Sequence, residues 1–308
     1  MSKLAFVFPG QGSQYVEMGK DFYENFELAK EYYKKANNIL GFDLKKLCFE
    51  GPEEKLTETQ NTQPAIFTVS MIAYELLKKE GIEPEMVAGH SLGEYAALCA
   101  AGVFDFETGL KLVRKRGELM ASAVTDGSEG TMAAIIALDQ SKIEKICNKV
   151  DGVCELANIN SPMQIVISGE KEAIKKAMEL ATEEGAKKVV ELNVSSAFHS
   201  QLMEPAKNKL KKYIEEIDFN DPTIPVVANS TADIVKDRNE IVSALEKQLT
   251  SPVRWVESME LMSSKGIDVA LEVGPGRVLK ALMRRIDRSI KTYNVEDKAS
   301  LEKAIKKI

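Results

Sequence analysis

Gly89-His90-Ser91-Leu92-Gly93 sets a serine between two glycines at G-x-S-x-G spacing. The pattern carries chemistry when a strand runs into it and a helix leaves it. Such a turn is so tight that side chains two before and two after the serine would clash, which accounts for the glycines. The Ser91 hydroxyl then stands exposed at a helix N-terminus, where the dipole favours negative charge. The backbone N–H of Leu92 is placed to donate to an oxyanion. A nucleophilic serine needs a base, and the chain holds two histidines, His90 and His199. His90 adjoins Ser91 on the turn and should point away from it. His199, in Ser195-Ser196-Ala197-Phe198-His199-Ser200, is the better base. Asp105, Asp126, Asp139 and Asp151 lie between the two in sequence, and nothing singles one out as a third member. A backbone or amide carbonyl can equally fix the imidazole tautomer.

The elements that must position these residues are legible in the hydropathy. Leu4–Phe8 is a short apolar run ending at Pro9-Gly10, as a buried parallel strand would. Helical periodicity covers roughly 18–39 and again Pro64 to about Lys79. Met86–Gly89 reads as a strand, the serine turn follows, and the Ala-rich stretch Ala96–Ala101 reads as a helix, with another at about 106–123. After the polar break at 125–128 the pattern changes. Strands at Met132–Leu138, Val153–Ile159, Gln164–Ser168 and Lys188–Val194 enclose two helical faces, marked by Ile143, Ile146 and Val150 and by Ile174, Ala177, Met178 and Ala181. That order, β-α-β-β-α-β, is a ferredoxin-like unit. Strand and helix alternation resumes near Ala197, with strands at 224–228 and 268–273 and helices near 201–217, 238–250, 254–265 and after Gly276. The expected fold is α/β: a mostly parallel sheet covered on both faces, formed by 1–127 and 197–308, with 128–196 inserted as a ferredoxin-like subdomain.

Composition narrows the function. The chain of 308 residues is 44% hydrophobic and 29% charged, with a formal net charge of −6, which argues against a nucleic-acid binder. Four cysteines without a CxxC pair, and only two histidines, leave a zinc site short of ligands. No stretch is long enough for a membrane span. A cytoplasmic monomer with reduced thiols is expected, with no metal, no cofactor of its own, and no nucleic-acid or membrane partner.

Several segments together resemble the malonyl-CoA:acyl carrier protein transacylase family. They are Phe8-Pro9-Gly10-Gln11-Gly12-Ser13-Gln14, Thr62-Gln63-Pro64-Ala65, Gly89-His90-Ser91-Leu92-Gly93-Glu94, Arg116-Gly117, Ala157-Asn158-Ile159-Asn160-Ser161-Pro162-Met163-Gln164, Phe198-His199-Ser200 and Val273-Gly274-Pro275-Gly276. They span residues 8 to 276 in the family's order. The family's architecture, an α/β-hydrolase-like core with a ferredoxin-like insertion, is the one read above from periodicity. The resemblance implies Ser91 as the acyl-accepting nucleophile, His199 as its base, and the backbone N–H groups of Gln11 and Leu92 as the oxyanion hole. It implies that Arg116 holds the malonyl carboxylate, that the main-chain carbonyl of Gln248 orients His199, and that Gln63, Asn158, Asn160 and Gln164 line the cleft. The partners it implies are coenzyme A thioesters and acyl carrier protein, which brings its own phosphopantetheine. Discrete bacterial members usually carry Pro before the Phe-His pair, where this chain has Ala197. That form resembles malonyl-selective synthase domains, in which bulky Phe198 fills the space a methyl branch would need.

Arginine suits a carboxylate partner because its planar fork binds both oxygens. Taken alone, Arg114-Lys115-Arg116 would read as a solvated helix face. A basic run at Arg277, Lys280, Arg284, Arg285 and Arg288 could help dock an acidic carrier, although most such runs are only solvated. Two other readings keep the same residues. A serine hydrolase would pass the acyl group to water but has no use for a carboxylate clamp. A non-catalytic subunit holding CoA esters has no need of Ser91, His199, Gln11 and Arg116 together.

Overall fold

The computed structural model describes residues 3–123, 129–194 and 196–308. Strand β1 (Leu4–Phe8) is apolar and buried throughout. Helices α1 (Lys20–Asn25) and α2 (Glu27–Leu40) replace the single helix expected over 18–39, because Phe26 is extended, with φ −133° and ψ 126°. Two short helices, α3 (Leu44–Glu50) and α4 (Glu53–Thr57), lead into α5 (Thr59–Lys79). The last begins at Thr59 rather than at Pro64, and the proline lies inside it. Proline has no N–H for the carbonyl four residues back. That carbonyl, on Gln60, accepts from Arg114 Nη1 at 2.8 Å instead.

Strand β2 (Met86–Gly89) and helix α6 (Gly93–Ala100) enclose the serine turn, and α7 (Phe106–Ala121) packs along α5. Gly117 makes that packing close, since a Cβ there would stand 2.8 Å from the Gln60 Cα. Next come β3 (Gly130–Ile136), α8 (Gln140–Cys147), β4 (Cys154–Ser161), β5 (Gln164–Glu170), α9 (Lys171–Glu183) and β6 (Lys188–Glu191). Their sheet is antiparallel with order β4-β5-β3-β6, the ferredoxin-like arrangement.

The chain then runs through α10 (Glu204–Glu215), β7 (Val226–Val227), β8 (Ile234–Val235), α11 (Arg238–Gln248), α12 (Trp255–Ser264), β9 (Val269–Val273), α13 (Val278–Ile286), β10 (Lys291–Val295) and α14 (Lys298–Ile305). The larger sheet has order β10-β9-β1-β2-β7-β8 and is parallel except for the edge strand β8. β8, β10 and α14 extend the expected set of elements, and β7 is shorter than the strand expected at 224–228. The fold is thus α/β-hydrolase-like with an inserted antiparallel subdomain. The expected junction at 127 and 128 lies outside the described residues, as do Asp126 and Ser195.

Apolar side chains fill both faces of the parallel sheet, and a separate core lies beneath the antiparallel one. The subdomain is tied to the larger body through β4: Val253 N–H donates to Ala157 O at 2.8 Å, and Ile159 N–H to Val253 O at 2.9 Å. That join carries β4 to the serine turn. Among the described residues no helix is long and apolar enough to cross a membrane, and no cluster of His, Cys, Asp or Glu could hold a metal ion.

Candidate active site

The serine turn is built from sterics. A Cβ on Gly89 would fall 1.9 Å from the Gly93 carbonyl carbon, and one on Gly93 would fall 2.0 Å from Phe8 O. Ser91 between them has a left-handed backbone, φ 51°, which costs a non-glycine residue about 1–2 kcal/mol. Asn229, just past β7, braces the turn. Its Oδ1 accepts from Ser91 N–H at 2.7 Å, and its Nδ2 donates to Gly89 O at 2.6 Å.

Ser91 Oγ and His199 Nε2 are 2.8 Å apart, and His199 Nδ1 lies 2.8 Å from the main-chain oxygen of Gln248. A carbonyl can only accept, so the proton sits on Nδ1 and Nε2 is free to accept from the serine. No acid takes part in this contact. Burial, with Arg116 nearby, pushes the imidazole down to about 3, so it stays neutral and ready to act as a base. His90 is engaged elsewhere: its Nε2 is 2.7 Å from Asn160 Oδ1, and its ring meets Trp255 edge-on.

Arg116 is no solvated helix charge; it is 1% exposed. Its Nη1 donates to Gln63 Oε1 at 2.9 Å, and its Nη2 donates to Gln248 Oε1 at 3.0 Å and to Ser91 Oγ at 3.1 Å. Nε has no partner, and no carboxylate pairs with the guanidinium among the described residues. The group packs over the Tyr95 ring at 5.2 Å. Close contact between α5 and α7, allowed by Gly117, brings it here. Burial lowers its pKa from the ordinary value.

The serine opens into a cavity of about 110 Å³ lined by Gln11, His90, Leu92, Arg116, Asn158, Phe198 and His199, among others. This is well below the roughly 300–1,000 Å³ of pockets that swallow a drug-sized ligand, and it suits a short acyl head. Larger hollows of about 690 and 750 Å³ lie elsewhere and hold neither Ser91 nor His199. Among the described residues the Gln11 and Leu92 backbone N–H groups donate no hydrogen bond, leaving both free for an oxyanion.

The four residues expected to line the cleft divide. Asn158 does line it, whereas Gln63 stands behind Arg116 and Asn160 behind His90. Gln164 does not reach the cavity: it begins β5 and accepts from Arg285 Nη1 at 3.1 Å. Of the basic run, Arg277 pairs with Glu296, Lys280 bonds Asn294 and Arg285 bonds Gln164. Sequence reasoning missed Asn229, Glu94 and the side chain of Gln248. Glu94 sits in a helix buried along its whole length. A carboxylate in so apolar a stretch was a signal, and so was an asparagine past the end of a parallel strand.

The acyl transferase domain family model matches residues 5–306. A malonyl CoA-acyl carrier protein transacylase of Bacillus subtilis is 45% identical, covering 99% of this chain and 97% of that protein. One from Haemophilus influenzae is 44% identical and covers 97% of each. Among solved structures, a malonyl-transacylase in complex with a holo type II PKS acyl-carrier protein superposes with a TM-score of 0.97 at 42% identity, over 100% of both chains. An acyl carrier protein S-malonyltransferase from Vibrio cholerae gives 0.95 at 44% identity, over 98% of this chain and 100% of that one. With its Ser91–His199 pair at the strand-to-helix turn, the chain belongs to the acyl transferase domain family.

Proposed function

We propose that this chain transfers a malonyl group from malonyl-CoA to the phosphopantetheine thiol of acyl carrier protein, through a malonyl ester on Ser91, and so feeds fatty acid synthesis. One observation carries the choice of acyl group: a buried guanidinium with no carboxylate partner among the described residues sits 3.1 Å from the nucleophile. Ser91 Oγ attacks the thioester carbonyl while His199 Nε2 takes its proton. The tetrahedral oxyanion accepts from the Gln11 and Leu92 N–H groups, an arrangement worth about 10²–10³ in rate per donor. The C–S bond breaks, and the CoA sulfur leaves with the proton from His199. The carrier thiol then gives its proton to His199 and attacks the ester, and Ser91 recovers its proton as it leaves.

Arg116 binds the free carboxylate of the malonyl group throughout, and Phe198 walls the cavity against a methyl branch. No cofactor enters the sequence, since phosphopantetheine arrives with the carrier. The reaction belongs in the cytoplasm and needs one copy of the chain, with 128–196 as the inserted subdomain. Relatives that carry the transacylase name support this reading.

Intact-protein mass after brief exposure to malonyl-CoA tests it. The expected result is one added malonyl group, absent in Ser91→Ala and removed by holo-carrier protein. Arg116→Ala should lose malonyl loading by about 30- to 5,000-fold, since truncating one side of a buried charge pair costs about 2–5 kcal/mol, and should still accept acetyl. Free CoA released without an adduct would make water the acceptor and overturn the reading.

A further inference from the structure

Arg116 has no salt bridge among the described residues, yet the carboxylate of Glu94 lies beyond a single intervening side chain, that of Gln248. Glu94 is 2% exposed, in the first turn of α6. Its Oε2 accepts from Gln248 Nε2 at 2.6 Å and from Asn229 N–H at 3.3 Å. Gln248 lies between the two charges. Its amide oxygen faces Arg116 Nη2 at 3.0 Å, and its amide nitrogen faces both Glu94 and, at 2.9 Å, Ser91 O. The main chain of the same residue holds His199.

An amide in a buried site has two orientations that are nearly equal in shape and opposite in polarity. Turned the other way, Gln248 would aim N–H groups at the guanidinium and its oxygen at the Ser91 carbonyl and the Glu94 carboxylate. Three contacts would become repulsive at once. When ionised, Glu94 can only accept and then admits the observed orientation alone. A direct Glu94–Arg116 ion pair would instead occupy the fork and would have to break before any ligand carboxylate could bind. An interposed amide satisfies Nη2 and, among the described residues, leaves Nε of Arg116 unpartnered.

We propose that Glu94 is a positioning residue which, through the side-chain amide of Gln248, holds Arg116 ready for the acyl carboxylate and thereby sets selectivity for dicarboxylic over simple acyl groups. This rests on the reading of Arg116 as a carboxylate clamp. The base does not require it, because His199 is held by the main chain of Gln248 and not by its amide, while the serine turn meets the network only through backbone groups, Ser91 O and Asn229 N–H. Glu94 therefore acts on which acyl group is accepted more than on whether serine attacks.

The test measures rates of Ser91 loading from malonyl-CoA and from acetyl-CoA by intact mass, in the wild type and in Glu94→Met, Glu94→Gln and Gln248→Met. Methionine keeps the length and bulk of either residue and removes the polar atoms. Glu94→Met should lower the malonyl-to-acetyl ratio at least tenfold, with acetyl loading falling less than malonyl loading. Gln248→Met, which keeps the carbonyl that holds His199, should lower the ratio in the same direction. Glu94→Gln can still accept from Gln248 Nε2, so most of the ratio should return.

Equal loss of both substrates in Glu94→Met would mean a purely structural role and overturn the proposal. So would a collapsed ratio in Glu94→Gln, which would make charge rather than amide orientation the cause. If Glu94→Met does not fold, the Gln248→Met and Glu94→Gln ratios decide alone. Arg116→Ala separates the two levels: if it leaves the ratio unchanged, the clamp reading fails. If it abolishes malonyl loading while the Glu94 and Gln248 variants keep the wild-type ratio, only the present inference fails.

Discussion

Asn229 and Ser91 form a brace: one side-chain amide satisfies the N–H of the nucleophile at 2.7 Å and the carbonyl of Gly89 at 2.6 Å. The two bonds close the turn on itself and hold Ser91 at its unfavourable φ of 51°. With Ser91 N–H occupied, the neighbouring Leu92 N–H is the one left to meet an oxyanion.

Asn229→Ala leaves two buried backbone groups unpaired, at about 1–3 kcal/mol for each group. Ser91 loading from malonyl-CoA should fall about 10–100-fold, read by intact mass over time. Asn229→Asp should do no better, because it sets a carboxylate oxygen against Gly89 O. Loading in Asn229→Ala within twofold of the wild type would remove the brace from the mechanism.

Two buried groups give stability opposite dependences on pH. His199 falls from 6.5 to about 3 on folding, mainly through burial. Between those values the unfolded chain binds the proton and the folded chain does not, so stability is lost as pH drops from 6.5 toward 3. Glu94 rises from 4.5 to about 7, again through burial, against the hydrogen bonds from Gln248 and Asn229 and the charge of Arg116. Its contribution is fully present below 4.5 and is lost as pH climbs through 7. Urea midpoints measured from pH 4 to 8 check both signs. Relative to the wild type, His199→Gln should gain at the acid end and Glu94→Gln at the alkaline end. A constant offset across the range in either variant would contradict the corresponding shift.

Legibility followed how local each interaction is. Ser91 could be read because its two glycines and its flanking strand and helix are contiguous, and His199 because histidines are so few. Arg116 could not be read from its neighbours, since Arg114-Lys115-Arg116 looks solvated. Its burial depends on Gly117 letting α7 close on α5, a contact between distant segments. Asn229 and the Gln248 amide act on residues more than 130 positions away in sequence. No spacing rule reaches that far. The early start of α5 depends likewise on Arg114 meeting a carbonyl that Pro64 leaves open. Resemblance supplied the main-chain role of Gln248, and it put Gln164 at a cleft that Asn158 of β4 lines but the start of β5 does not reach.

Gly93 gives the sharpest steric test of the turn. Its φ is not in the left-handed region, so alanine there meets no conformational bar of its own. What it meets is Phe8 O, 2.0 Å from the new Cβ, and Pro9 O at 2.9 Å. Both belong to backbone at the end of central strand β1, which has little room to yield. Either α6 withdraws from the sheet or the turn opens, and in both cases Ser91 Oγ leaves its 2.8 Å contact with His199. Overpacking of this kind costs about 1–3 kcal/mol and occasionally more, which a chain of this size can survive folded. Gly93→Ala should therefore show native-like far-UV circular dichroism and a lowered Tm, with Ser91 loading reduced at least 100-fold. A misplacement near 1 Å is enough for that loss. Loading within threefold of the wild type would show that the sheet and helix can part without disturbing the nucleophile, and that close packing is not what sets it.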